Sequence, residues 1–375
     1  MKKELPDFSG REETKQDILK SMDLEAVRRA IPRVSEKARA ASKAHWDSIA
    51  KPLNGLGELE TLVTRIAALT GDEKVNIDSR AVLVMCADNG VVAEGVTQSD
   101  SSVTAVMAGK IAAHQSSVCQ MAKAVRADVE AIDIGMLHRV SGVRDLHVGC
   151  GTENMVNAPA MSRGQALQAI FAGIGLVKEY KEKGYRILVT GEMGIGNTTT
   201  SSAMASVLLH MPAAEVTGRG AGLSDAGLAR KISAIEKAVA CNQPDPADAL
   251  DVLSKLGGFD IAGMAGVFIG GALYQIPVVI DGLISSVAAL TAARLVPECR
   301  GAMLASHCSA EPVAEAILRE LELTAVLHAG MKLGEGTGAV CLLPLLDMAL
   351  SVYCGSASFR TVGIDPYQPL GGNIR

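Results

Sequence analysis

What most constrains this chain is a recurring alternation. Short apolar runs of β type, each ending in a glycine or a polar residue, are separated by longer stretches of helical periodicity. The runs at 80–86 (RAVLVMC), 129–134 (VEAIDI), 186–190 (RILVT), 276–280 (IPVVI) and 301–305 (GAMLA) are expected to be strands, with a further one near 258–261. Helical spacing fills 103–125, 165–183, 199–210, 225–240, 262–274, 285–295 and 311–321. Strand followed by helix followed by strand implies βαβ units and a parallel sheet. Both ends of the chain look helical and strand-free. The expected organisation is therefore a large α/β domain over 79–329 and a small helical domain made from 1–78 and 330–375.

In an open parallel sheet the carboxyl ends of the strands form the rim of the ligand crevice. Here they are followed by Ala87-Asp88-Asn89-Gly90, Gly135-Met136, Gly191-Glu192-Met193-Gly194, Asp281-Gly282 and Ser306-His307. Polar and acidic groups thus gather at one edge. With 38 glycines and only 3% aromatic residues, the chain reads as a loop-rich α/β enzyme and not as a β-sandwich.

Several function classes are disfavoured. The net charge is −5 with acids and bases interspersed, so no basic stripe awaits a nucleic acid. The eight cysteines form no CxxC pair and the seven histidines no HExxH, which argues against a metal site and for reduced thiols. The N-terminal MKKELPDFSGREETKQD has no apolar segment behind its lysines, and no uninterrupted apolar run is long enough for a membrane span. A cytoplasmic protein is expected.

The segment LVTGEMGIGNTTTSSA at 188–203 is the most informative stretch. It lacks the GK[ST] of a Walker loop and the GxGxxG of a dinucleotide fingerprint, which weakens a dehydrogenase reading. What it offers is a glycine turn entering a helix whose free N–H groups favour an anion, with Thr198, Thr199 and Thr200 at hand. An ordinary βα turn with a cap is the bland alternative. Glu192 tips the balance, because an acid beside an anion site is unfavourable unless it meets a cation or does chemistry. Lys231 reads either as a solvated helix charge or as an anion ligand. The glycines of GGFDIAGMAGVFIGGA at 257–272 imply that a backbone or a ligand approaches closely. Glu335, between glycines in LGEGTGA with Thr337 as a cap, is either a helix-dipole acid or a general base.

In their order along the chain, KPLNGLGELE, ADNGVVAEGVT, GEMGIGNTT, GRGAGLSD, GGFDIAGMAG, PVVIDGLISS, SHCSAEP and LGEGTGA resemble the nicotinate-nucleotide:5,6-dimethylbenzimidazole phosphoribosyltransferases of cobamide synthesis. The likeness covers about residues 45–355. It implies a Rossmann-like parallel sheet flanked by helices with a smaller helical domain from both termini, a dimer, and no metal or cofactor. The implied reaction moves the ribosyl phosphate of nicotinate mononucleotide to a base, inverting the anomeric carbon and releasing nicotinate. By motif matching, Glu192 would stabilise the oxocarbenium-like state and Glu335 would be the general base. Gly194, Gly196, Asn197, Thr198 and Lys231 would hold the 5′-phosphate, Asp281 would order the ribose or its loop, and Ser309 would face nicotinate. Asp88, Thr97, Val106 and Leu333 would line the acceptor pocket.

The acceptor segment departs from the family pattern. Where better-known members read close to EGVSxYPxxVTxQM, this chain reads EGVTQSDSSVTAVM, so Val106 stands where a glutamine contacts benzimidazole, and Asn89 replaces a histidine. The acceptor stays open between dimethylbenzimidazole, a related nitrogen base such as adenine, and a phenol or p-cresol. The phenol-activating relatives work as heterodimers, so the partner is a second copy or a related chain. A non-catalytic partner subunit and a nicotinamide-dependent dehydrogenase are the competing readings. The first would show a lost glutamate or a broken glycine loop, and neither is seen.

Overall fold

The computed structural model describes residues 21–368 together with Lys15 and Leu19. Its centre is a six-stranded sheet: β1 (Arg80–Ala87), β2 (Asp128–Gly135), β3 (Arg144–Asp145), β4 (Ile187–Met193), β5 (Val278–Ile280) and β6 (Met303–Ala305). The order is β3-β2-β1-β4-β5-β6, and every pairing is parallel. All eight residues of β1 are buried, as an unbroken apolar run requires when helices cover both faces. The chain leaves β1 towards β2 and β3, then returns to add β4 on the other side. The strand order therefore reverses between β1 and β4, the kind of switch point beside which parallel sheets bind ligands.

Three local expectations are corrected. Residues 258–261 are not a strand: Gly258 is the extended residue before the helix Phe259–Leu273, every residue of which is buried. A helix apolar on all sides carries no amphipathic period, so its first turn resembles a buried strand. The helix expected over 103–125 is two, Ser102–Ala112 and Ser117–Ala124, separated near His114, whose φ is 56°. The two-residue strand β3 lies outside every predicted run, being too short to carry a pattern.

On one side of the sheet the helices Phe259–Leu273 and Arg163–Glu182 pack almost backbone to backbone. A Cβ on Gly266 would collide with Ile170 O, and one on Gly173 with Gly263 O. Those glycines answer to a neighbouring helix, not to a ligand. On the other side the helices Glu36–Ser48, Glu58–Thr70 and Leu342–Gly355 bring the two chain ends together, with Trp46, Leu62, Ile66 and Leu346 in one cluster with Val82, Val84 and Val189 of the sheet. The core of the terminal helices is thus continuous with the sheet face. The motif KPLNGLGELE closes on itself here: buried Glu60 accepts from Lys51 Nζ at 2.6 Å and from Leu56 N at 2.9 Å.

Residues 337–355 have a mean hydropathy of 1.7, long and apolar enough by composition to cross a membrane. They bury Leu342, Leu343, Leu346 and Ala349 inside the protein. Asp347, which interrupts the apolar run, makes a two-pronged ion pair with Arg80 at the start of β1, at 2.8 and 3.0 Å.

Candidate active site

A cavity opens at the carboxyl ends of β4, β5 and β6. One wall is the turn from β4 into the helix Asn197–Leu208, another the loop after β5, and a third the segment 331–337. Glu192, Gly194, Gly196, Asn197, Thr198, Lys231, Asp281, Ser309, Glu335, Thr97 and Leu333 all line it.

Gly196 has φ 95° and no side chain caps the helix Asn197–Leu208, whose Asn197 and Thr198 line the cavity; Asn197 N donates to Gly194 O at 3.1 Å and Thr199 N to Gly196 O at 2.9 Å. Of the threonines expected to cap, Thr200 Oγ1 donates back to Asn197 O, Thr198 Oγ1 accepts from Lys231 Nζ at 2.8 Å, and the buried Thr199 hydroxyl has no hydrogen-bond partner among the described residues. Lys231 has no exposed surface and also donates to Gly218 O at 3.1 Å. Burial lowers its pKa to about 8, with Glu311 pulling the other way. It is thus no solvated helix charge. A helix N-terminus, a hydroxyl and a buried ammonium together make an anion site.

At the opposite sign, three buried acids converge. Asn197 Nδ2 donates to Glu192 Oε2 and to Asp260 Oδ2, the latter at 3.0 Å. One amide thus holds two carboxyls in register. Burial first, then the nearby Asp260 and Asp281, raise the Glu192 pKa to about 8, and burial raises that of Asp260 to about 6. Such a cluster stores one or more protons at neutral pH and favours a cation placed beside it.

Glu335 sits in the left-handed region at φ 61°, between Gly334 at 87° and Gly336 at 94°. Three consecutive positive φ values make a tight reversal that no run of ordinary residues adopts without cost. Asp281 secures it, accepting from Gly336 N at 3.1 Å and Ala339 N at 2.9 Å. Burial raises the Asp281 pKa and lowers that of its neighbour His307. Glu335 Oε2 accepts from Val118 N at 3.1 Å, at the start of the helix Ser117–Ala124. The reversal presses directly on β4, since a Cβ on Gly334 would strike Glu192 Oε1 and one on Gly191 would strike Glu335 O. The two glutamates therefore belong to one packed unit. The helix here opens at Thr337 after Gly336, and the Thr337 hydroxyl donates to Gly334 O instead of capping.

Two predicted residues fall outside the cavity. Val106 is 59% exposed, because the helix Ser102–Ala112 turns Thr104, Ala108 and Ile111 inward and position 106 lies on the opposite face. Met107 takes the wall position. Asp88 is buried and accepts from Leu137 N at 2.7 Å, tying the β1 loop to the β2 loop. Ser309 keeps a structural bond as well, its hydroxyl 3.5 Å from Met331 O. Sequence reasoning missed Asp260, His307 and Glu311 as parts of the site. Asp260 left a signal as the one acid in a glycine-rich apolar helix, and His307 and Glu311 as members of the motif SHCSAEP. Among the described residues, no group of three or more His, Cys, Asp or Glu side chains could hold a metal ion.

Comparisons with known proteins agree in direction. The sequence model of a phosphoribosyltransferase family matches residues 31–364. A nicotinate-nucleotide–dimethylbenzimidazole phosphoribosyltransferase of Clostridium acetobutylicum is 41% identical over 93% of this chain and 100% of its own length. One from Acetivibrio thermocellus is 44% identical over 86% and 93%. The crystal structure of CobT from Thermus thermophilus superposes with a TM-score of 0.83 at 34% identity, covering 88% of this chain and all of that one. Matched over most of its length by the family model and by relatives 41% and 44% identical, the chain belongs to the nicotinate-nucleotide–dimethylbenzimidazole phosphoribosyltransferase family.

Proposed function

We propose that this protein transfers the ribosyl phosphate of nicotinate mononucleotide to a nitrogen base of the dimethylbenzimidazole class, giving an α-riboside 5′-phosphate and free nicotinate. The observation that carries the reading is the polarity of one cavity: an anion site at Thr198 and Lys231, and a buried acid cluster around Glu192 next to Glu335. A nucleotide with a phosphate at one end and a cationic pyridinium at the other complements both. The 5′-phosphate docks at the start of the helix Asn197–Leu208, on the Thr198 hydroxyl and Lys231. The pyridinium and the developing ribosyl cation lie against Glu192, and their charge favours its ionised form, offsetting repulsion from Asp260 and Asp281.

As the C–N bond to nicotinate breaks, the carboxylate of Glu192 stabilises positive charge on the ribose. The incoming base attacks the opposite face, and Glu335 takes the proton it sheds. Ser309 borders the leaving nicotinate, while Asp281 holds the Glu335 reversal in place. Thr97, Met107 and Leu333 form the acceptor wall, and their largely apolar surface suits a flat aromatic ring. The residues act without a metal or cofactor in this scheme, in the cytoplasm and as a dimer with a second copy.

The experiment is nicotinate release from nicotinate mononucleotide by the purified chain, with dimethylbenzimidazole, adenine, phenol and p-cresol as competing acceptors. Activity with dimethylbenzimidazole supports the reading. Release only with phenols would move the chain to the phenol-activating branch, and no release with any acceptor would leave it as a partner subunit.

A further inference from the structure

A second reactive arrangement lies beyond the carboxyl end of β2. Leu146 N donates to Asp133 O at 2.9 Å and Val148 N to Ile134 O at 3.1 Å, so the segment runs alongside β2 and the side chain between them is held firmly. That side chain is His147. Its Nδ1 lies 3.0 and 3.1 Å from the two oxygens of buried Asp133. An imidazole donating Nδ1–H to a carboxylate presents Nε2 as an acceptor. Nε2 points at Cys150 Sγ, 3.6 Å away, and the thiol is exposed. Arg139 closes the group, 3.5 Å from Asp133 and ion-paired with Asp145, and Asp145 Oδ1 also accepts from His147 N at 3.1 Å. None of these residues lines the phosphoribosyl-transfer cavity.

We propose that Cys150, His147 and Asp133 form a nucleophilic thiol site, separate from the transferase cavity, that reacts with low-molecular-weight disulfides to give a mixed disulfide. Asp133 fixes the tautomer and orientation of His147. His147 Nε2 takes the Sγ proton, and the thiolate attacks one sulfur of the disulfide. A new bond forms between Cys150 and that sulfur as the original S–S bond breaks. The departing thiolate collects the proton from the imidazolium, so the disulfide is the only oxidant consumed. The guanidinium of Arg139 adds positive potential near the thiolate. Burial separates Cys86 and Cys299 from such chemistry, and the other exposed cysteines, Cys241 and Cys354, serve as built-in references. The adduct would stand beside Thr152, whose amide donates to Asp88 O and whose hydroxyl accepts from Gly90 N.

The test uses the full-length chain at neutral pH with a limiting amount of iodoacetamide, followed by peptide mass spectrometry. Cys150 is expected to alkylate at least ~10-fold faster than Cys241 and Cys354, and His147→Gln to bring it within ~2-fold of them. Oxidised glutathione should add one glutathione to Cys150 and none to Cys150→Ser. Equal alkylation of the three exposed cysteines in the unmodified protein would overturn the proposal, whether or not the His147 variant folds. So would an unchanged rate in a folded His147→Gln protein.

Discussion

Glu192 and Asp260 are bridged by one amide, the Nδ2 of Asn197, which donates to a carboxyl oxygen of each. Two buried acids on a single donor cannot both ionise cheaply. The consequence is a measurable dependence of stability on pH. With Glu192 raised to about 8 and Asp260 to about 6, the folded chain binds more protons than the unfolded chain above the ordinary carboxylate range. These two carboxyls make stability fall as pH rises from their unfolded pKa values through about 8, against a smaller opposite contribution from His307, whose pKa burial lowers. Thermal melts of the ligand-free protein at pH 5, 6.5 and 8, on the order of three points across that window, should show a declining Tm. Glu192→Gln should flatten the decline and raise Tm at the alkaline end while abolishing turnover. A Tm that climbs through this range would contradict the proton-storing cluster.

Glu335→Gln isolates the proton transfer. The amide oxygen of glutamine can still accept from Val118 N, so the reversal at 334–336 survives the change. Turnover should drop by about 100-fold or more, the scale of a lost general base, with nicotinate mononucleotide binding nearly intact. Single-turnover nicotinate release alongside calorimetric binding separates the two. Unaltered turnover would remove Glu335 from the mechanism.

Lys231→Met keeps the length of a fully buried side chain and removes its charge. If the ammonium and the Thr198 hydroxyl hold the 5′-phosphate, affinity for nicotinate mononucleotide should fall by roughly 10- to 100-fold, as expected for a charge-assisted hydrogen bond. Binding of nicotinate riboside, which has no phosphate, should scarcely change. Equal losses for both ligands would indicate a packing role instead.

Val106→Gln is expected to leave the preference between dimethylbenzimidazole and phenol within about 2-fold, because an exposed substitution away from the wall alters little. Met107→Gln, on the wall, should shift it. Competition assays on both variants decide the matter. A large effect at 106 would mean that this face of the helix meets the acceptor after all.

The sheet was legible from the chain because fully buried strands are written as apolar runs: RAVLVMC became β1 nearly residue for residue, and RILVT the first part of β4, which runs on through Gly191-Glu192-Met193. That Glu192 and Glu335 stand out was legible too, since both sit among closely spaced glycines, and the positive φ values at 334–336 are a local property of the chain. What the chain could not declare was anything set by contacts between distant residues. Phe259–Leu273 looked ambiguous until its neighbours buried it on every side. Val106 and Met107 are adjacent in sequence, yet helix rotation sends one to the surface and one to the cavity. Asp260 joined the acid cluster only because a helix start and a strand end, 68 residues apart between Glu192 and Asp260, meet at Asn197. Periodicity and turn chemistry are encoded over a few residues and so can be read there, whereas the pairing of charges and the facing of side chains follow from how the layers pack.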